Sequence, residues 1–210
     1  MSQILIADDH AMVRAGLKQF LLEDPSVREV GEAATGQQAL DKLRTARWDL
    51  LILDINMPDR SGLDILKHVK SGFPETRILI MSGFPERQYA MNVLRAGASG
   101  YLAKDSEPDE LLKAVRTVLL GRRYVSAALA ELLVADMDVD KEKPFHSQLS
   151  EREFQIFCKL ATGQAVSEIA DELCLSVKTV STYRSRVLEK MRFKSNADIT
   201  SYALRNGLMQ

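Results

Sequence analysis

Asp54 ends an apolar run, Leu50-Leu51-Ile52-Leu53, and is followed by Asn56, Met57, Pro58, Asp59 and Gly62. Asp8 and Asp9 close a second run, Ile4-Leu5-Ile6-Ala7. Ser82 closes a third, Ile78-Leu79-Ile80-Met81, and Lys104 a fourth, Gly100-Tyr101-Leu102-Ala103. Short uninterrupted apolar runs read as strands buried on both faces. In an open parallel sheet the carboxyl ends of such strands form the ligand crevice. Three carboxylates, a hydroxyl and an ammonium meeting there describe a site for one hard cation and one phosphoryl group.

The residue types suit that chemistry. Mg²⁺ takes oxygen ligands in an octahedron, and Asp8, Asp9 and Asp54 can supply them, directly or through water. A backbone carbonyl near Asn56 can add another. The cation offsets repulsion between an incoming phosphate and the carboxylates and stabilises charge on the phosphoryl oxygens during in-line transfer. Asp54 is the nucleophile candidate, since a carboxylate can form an acyl phosphate. Lys104 can pair with a phosphoryl oxygen as a point charge, and Ser82 can donate a hydrogen bond to another. Singly, each residue has a plainer reading as a turn, cap or solvated surface group. Their joint placement at successive strand ends carries the argument.

The elements that must position them alternate strictly. Strands are predicted at 3–8, 28–34, 49–54, 77–82 and 100–103, and helices at 12–23, 36–46, 62–71, 86–96 and 107–120. The first helix stops at Asp24-Pro25, because proline disfavours helix in the residue before it. Five strands alternating with five helices predict a doubly wound α/β domain, a parallel five-stranded sheet with helices on both faces, over residues 1–120. Residues 121–147 then lose core periodicity and include the polar run Asp136 to Pro144. They read as a linker, with room for a short helix at 126–135.

From 148 to 210 the chain is helical. Ser150 with Glu153 has capping-box spacing, and a helix follows with Ile156, Phe157 and Leu160 inward. A second, about 166–173, carries Ile169, Ala170 and Leu173. Ser176 caps a third, with Val180, Tyr183, Val187, Leu188 and Met191 at helical spacing. A fourth opens at Ser195 or Asn196 and carries Ile199, Tyr202, Ala203 and Leu204 inward. A short turn at Cys174–Ser176 joining two helices, the second basic, fits a helix-turn-helix in an all-α four-helix domain.

Charge is divided between the two parts. Residues 1–140 hold 17 Lys and Arg against 21 Asp and Glu, whereas 141–210 hold 11 against 8. Lys178, Arg184, Arg186, Lys190, Arg192 and Lys194 accompany only Glu189, so the basic end is the candidate for DNA. Lys178, Thr179 and the helix N-terminus suit phosphates. Ser181, Thr182 and Ser185 are short enough to let the helix lie deep in a major groove, and Arg184 and Arg186 can reach base or backbone. Cys158 and Cys174 lack metal-ligand spacing and read as buried thiols in a reducing compartment. The histidines, His10, His68 and His146, are scattered and do not suggest a zinc site. No secretory signal pattern or membrane-spanning apolar run is evident, so a cytoplasmic protein without membrane partners is expected.

Residues 1–120 resemble the receiver domain of bacterial two-component response regulators. The resemblance rests on Asp8-Asp9, on Asp54 with Met57-Pro58 and Gly62, on Ser82, and on Tyr101-Leu102-Ala103-Lys104. It implies a flavodoxin-like fold with strand order 2-1-3-4-5 and phosphorylation of Asp54 by a sensor histidine kinase. It also implies an Mg²⁺ site at Asp8, Asp9, Asp54 and the Asn56 backbone, Lys104 as phosphate-binding lysine, and Ser82 and Tyr101 as a switch pair. Gly83, where alanine is common, departs from the pattern without removing a reacting group. Residues 149–208 resemble the LuxR-type helix-turn-helix of the NarL/FixJ subfamily, from Leu149-Ser150-Glu151-Arg152-Glu153 through Ile169-Ala170, Leu175-Ser176 and Lys178-Thr179-Val180 to Lys190-Met191, Ala203 and Gly207-Leu208. That match places Ser181, Thr182 and Ser185 where bases are most often read; Lys178, Thr179, Arg184, Arg186 and Lys190 are expected as further DNA contacts from their charge and position.

The expected function is a phosphorylation-dependent transcription regulator that dimerises and binds promoter DNA when Asp54 is modified. RNA polymerase is a further candidate partner, and the last helix, 195–206, is the candidate dimer contact on DNA. The alternative is a DNA-binding regulator controlled independently of phosphorylation. An enzyme turning over external substrates is not expected. A hydrolase would need an acid/base where Asn56 stands, leaving Mg²⁺-dependent self-phosphorylation and slow self-dephosphorylation.

Overall fold

The computed structural model describes residues 1–57, 62–83, 86–127, 129–131 and 145–208. The chain divides into two compact units, Met1–Val139 and Asp140–Gln210.

The first unit alternates β1 (Ser2–Ala7), α1 (Ala11–Leu22), β2 (Val27–Ala33), α2 (Gly36–Thr45), β3 (Leu50–Asp54), α3 (Gly62–Gly72), β4 (Arg77–Ser82), α4 (Glu86–Arg95), β5 (Gly100–Ala103) and α5 (Pro108–Leu119). All pairings are parallel, and the strand order is β2-β1-β3-β4-β5, as the resemblance implied. Every residue of β3 is buried, and β1 and β4 are buried through most of their length. Helices on both faces exclude water from both sides of the pleat, which is why these strands are apolar runs and not alternating ones.

Register then decides where the polar ends fall. Ala7 pairs with Leu53, Asp54 with Met81, and Ser82 with Ala103. Asp8, Asp54, Ser82 and Lys104 therefore emerge along one edge of the sheet. Asp24, just beyond α1, helps brace the domain. Its Oδ1 accepts from the Ser26 amide at 2.9 Å and its Oδ2 from Arg116 Nε of α5 at 2.8 Å.

The segment expected to connect the domains begins as part of the first one. The Tyr124 amide donates to the Ser99 carbonyl at 2.9 Å, and Tyr124 forms an isolated parallel bridge with Gly100. The Tyr124 hydroxyl donates to Glu110 Oε1 at 2.7 Å. A Cβ at Gly100 would lie 3.0 Å from both the Tyr124 Cβ and a Leu79 methyl, so glycine is what lets the returning chain approach β5. Leu129 is also fully buried. A linker starting at 121 is thus too early, because the apolar side chains of Tyr124 and Leu129 bury themselves at intervals too irregular for a periodicity reading. Ala127 and 129–131 are helical, Ser126 stands just before the helix, and 128 and 132–135 of the predicted 126–135 helix lie outside the described residues.

The second unit opens with a 3₁₀ turn at Phe145–Gln148 and continues as α6 (Glu151–Ala161), α7 (Val166–Glu172), α8 (Val177–Met191) and α9 (Asn196–Arg205). Ser150 and Glu153 make the predicted capping box on α6. Ile156, Phe157, Leu160, Ile169, Ala170, Val180, Val187, Met191, Ile199 and Ala203 form the core. Between α7 and α8, Cys174 takes the left-handed conformation (φ 51°), and the Leu175 amide donates to the Ala170 carbonyl at 2.8 Å. This closes α7 as a Schellman-type C-terminus, with cysteine where glycine is usual. Ser176 then caps α8 by accepting from the Thr179 amide at 3.0 Å.

Two burial expectations are corrected here. Leu204, expected inward on the last helix, is 62% exposed, because the core face of α9 is already filled by Ile199, Tyr202 and Ala203. Cys174, expected to be buried, is exposed, since the left-handed turn carries its side chain out of the helical pattern. Cys158 is largely buried, and burial pushes its thiol up to about 12 despite the nearby Lys159 ammonium.

Candidate functional site

Two sites were predicted, one in each unit. At the carboxyl edge of the sheet, Asp54 is 1% exposed and Asp8 scarcely more. The Lys104 ammonium donates to Asp54 Oδ2 at 2.7 Å and lies 2.7 Å from Asp8 Oδ2. The other Asp54 oxygen, Oδ1, accepts from the Asn56 amide at 3.0 Å. Asp8 Oδ1 accepts from the His10 amide at 2.7 Å, and the Asp8 carbonyl accepts from Arg14 Nη1, also at 2.7 Å. Both carboxylates are thus held in one orientation before any ligand arrives.

Their electrostatics follow from burial. Loss of solvent pushes the Asp54 carboxyl above its ordinary range, and Lys104 and the Asn56 amide only partly counter it. Burial disfavours the Lys104 charge, but Asp54 and Asp8 outweigh it and hold the ammonium above its ordinary pKa. The site therefore has buried negative charge incompletely matched by one lysine, which favours a further cation.

The donor set fits one. Ligand atoms of Asp8, Asp9, His10 and Asp54 lie within 4.8 Å of one another, and three are hard carboxylate oxygens of the kind divalent cations take. Asp9 is the exposed member of the acidic pair. His10, which the sequence offered only as one of three scattered histidines that do not suggest a zinc site, lies with these carboxylates. The available signal was its position directly after the acidic pair at the start of a helix.

Ser82 and Tyr101 are both fully buried. The Ser82 carbonyl accepts from the Lys104 amide at 2.8 Å, which ties the ends of β4 and β5 together. Gly62 is required on steric grounds. Its amide donates to the Ile55 carbonyl at 3.2 Å, and a Cβ there would come within 2.6 Å of the Ile55 Cα. Only glycine lets α3 start so close to the strand end that carries Asp54. Pro58 and Asp59 lie outside the described residues.

In the second unit, α8 presents Lys178, Ser181, Thr182, Ser185 and Arg186 to solvent, with Thr179 half-buried beside them. Thr182 and Ser185 donate their hydroxyl protons back to the carbonyls of Lys178 (2.9 Å) and Ser181 (3.1 Å), leaving oxygen lone pairs outward. The Arg186 guanidinium sits 5.8 Å over the Tyr183 ring. Two predicted contacts stand apart from this face. Arg184 is half-buried and its Nε donates to Asn196 Oδ1 at 2.7 Å, at the start of α9. Lys190 Nζ donates to the buried Glu153 at 2.6 Å and reaches the Gln148 carbonyl at 3.5 Å. Both cations are engaged within their own domain.

The comparisons bear on both sites. The response regulator receiver domain model matches residues 4–116, and the model for bacterial regulatory proteins of the luxR family matches 147–203. The chain belongs to the response regulators. It is similar to the response regulator UvrY of Escherichia coli (strain K12), 36% identical over 99% of this chain and 96% of that one. It is also similar to RcsB from Salmonella enterica serovar Typhimurium bound to promoter rprA in the presence of phosphomimetic BeF₃⁻ (27% identity, TM-score 0.67, covering 96% of this chain and 97% of the other). A structure of two RcsB dimers bound to two parallel DNAs matches at 26% identity and TM-score 0.60, over 96% and 97% of the two chains.

In this response regulator of the NarL/FixJ type, the receiver match runs from β1 into α5 and so takes in Asp8, Asp9, Asp54, Ser82, Tyr101 and Lys104. The LuxR-type match runs from the turn before α6 into α9 and takes in all of α7 and α8. The acidic pocket belongs to the receiver, and the exposed face of α8 belongs to the DNA-binding domain. Among the described residues no helix is long and apolar enough to cross a membrane.

Proposed function

We propose that this response regulator is switched by phosphorylation of Asp54 and that the modified form dimerises on promoter DNA. The observation that carries the reading is the buried Asp54 carboxylate, held by Lys104 at 2.7 Å beside Asp8 and Asp9. In this reading Asp54 attacks the phosphorus of a phosphohistidine on a sensor kinase. The new bond is O–P, the P–N bond breaks, and the imidazole leaves and takes up a proton. Asp8, Asp9, Asp54 and the Asn56 carbonyl would hold Mg²⁺, which supplies charge neutralisation at the phosphoryl oxygens. Lys104, already the counterion of Asp54, is placed to follow the charge onto a phosphoryl oxygen.

Phosphorylation adds negative charge and acceptor oxygens to a buried crevice. Ser82 then turns its hydroxyl toward them, and Tyr101 repacks into the space it leaves, biasing the loop and helix over 83–96. Asn56 cannot act as a general base, so hydrolysis of the acyl phosphate is slow and the protein turns over no external substrate. The α8 face enters the major groove through Ser181, Thr182, Ser185 and Arg186, with Lys178 and Thr179 on phosphates. Leu204, apolar and exposed on α9, gives the expected dimer contact an anchor. A cytoplasmic setting with RNA polymerase near the bound dimer follows from the same reading.

The test uses purified protein, Mg²⁺ and acetyl phosphate. Acid-stable, base-labile label with the matching mass gain is expected in the wild type and absent in Asp54→Ala, and labelled protein should shift toward dimer. Wild-type protein that takes no label would overturn the mechanism and leave a DNA-binding protein controlled in another way.

A further inference from the structure

His10 occupies the N-cap position of α1, where Ser, Thr, Asp and Asn usually serve, yet its side chain makes no capping hydrogen bond. Its ring turns to the acidic pair instead. Nδ1 lies 2.8 Å from Asp9 Oδ1 and 3.2 Å from Asp8 Oδ1. With Asp54, these three residues bring one imidazole nitrogen and three carboxylate oxygens within 4.8 Å of one another. Ligand bonds of about 2.0–2.4 Å let a single cation span such a set.

A nitrogen in that set changes which cation is preferred. Mg²⁺ favours oxygen and keeps several waters, whereas imidazole suits the later first-row divalent ions. We propose that His10 is a direct ligand for borderline first-row divalent cations, with Zn²⁺ as the probe, making the receiver pocket an oxygen-and-nitrogen site at which such ions compete with Mg²⁺. The proposal rests on the reading that the pocket holds a cation. It differs from a role in which Nδ1–H merely donates to Asp9 and orients it. An orienting donor would aid Mg²⁺ and Zn²⁺ alike, while a ligand aids Zn²⁺ selectively.

The geometry permits a clean variant. The His10 side chain is 62% exposed and caps nothing, so its truncation leaves the core of the domain untouched. His68, exposed on α3, is the control for adventitious zinc binding elsewhere.

The experiment measures Zn²⁺ and Mg²⁺ dissociation constants calorimetrically on the full chain, for the wild type and for His10→Ala, His68→Ala and Asp54→Asn. The wild type should prefer Zn²⁺ over Mg²⁺ by about 100-fold or more. His10→Ala should narrow that ratio by about tenfold or more, a loss at least as large as removal of an outer-shell partner brings. His68→Ala should leave the ratio as it is, and Asp54→Asn should weaken both ions. A ratio unchanged in His10→Ala overturns the proposal, whether both ions weaken together or neither does, and leaves the phosphorylation mechanism standing. Wild-type protein that binds neither ion, or binds both independently of Asp54, overturns the Mg²⁺ site of the proposed function and this inference with it.

Discussion

Lys104 Nζ and Asp54 Oδ2 lie 2.7 Å apart and join the carboxyl ends of β5 and β3, two strands that are not neighbours in the sheet. The contact passes over the end of β4, where Ser82 sits. One ion pair therefore spans the three strands that deliver the nucleophile, the hydroxyl and the phosphate-binding charge.

Asp54 is held above its ordinary pKa chiefly by burial, so its charged form works against folding. The sign follows from linkage. The unfolded chain ionises near 3.8 and the folded chain later, so stability falls as pH rises through that interval. Asp54→Asn is expected to be more stable than the wild type at neutral pH. The gain should vanish below the unfolded pKa. Urea denaturation at several pH values checks it; a variant less stable at neutral pH would contradict the argument.

The α8 face and Lys190 should separate in DNA binding. Lys178→Ala should flatten the dependence of log affinity on log salt by about one phosphate contact. Lys190→Ala should leave that slope unchanged. It should instead destabilise the C-terminal domain by about 1–3 kcal/mol, because it strands the buried Glu153 without its counterion. Burial raises the Glu153 pKa, but Lys190 and Ser150 outweigh it and hold it below its ordinary range. Salt titrations of operator binding beside thermal melts distinguish the two classes.

Asp24 predicts an opposite pH dependence. Hydrogen bonds from Ser26, then the Arg116 guanidinium, lower its pKa to about 2, against the burial that would raise it. Its contribution is complete above the unfolded value of 3.8 and is lost as pH falls through about 2. Arg116 is largely solvent-exposed, which screens the pair, so Asp24→Asn should cost about 1 kcal/mol at neutral pH. The gap from wild type should close as pH approaches 2.

The two thiols should differ sharply in reactivity. Cys174 is exposed in the turn before α8, while burial drives Cys158 up to about 12 and leaves little thiolate at pH 8. A thiol-specific reagent should modify one cysteine rapidly in native protein and the second only on unfolding. Cys174→Ser should abolish the fast phase, and two equally fast phases would refute the assignment.

By itself the sequence determined the elements and most of the reacting groups. Uninterrupted apolar runs such as Leu50–Leu53 demand burial on both faces, and a polar residue at the end of each run leaves few places for it except the crevice. The capping pairs at Ser150 and Ser176 are local, fixed by residues three apart, so they too were legible. What only the tertiary structure decided are the contacts between residues far apart in the chain. Lys104 meets Asp8 as well as Asp54, Lys190 is committed to Glu153 and Arg184 to Asn196. Tyr124 returns to β5. No periodicity encodes these, because each depends on strand register and helix packing, which bring distant side chains within a few ångströms only once the whole domain has closed.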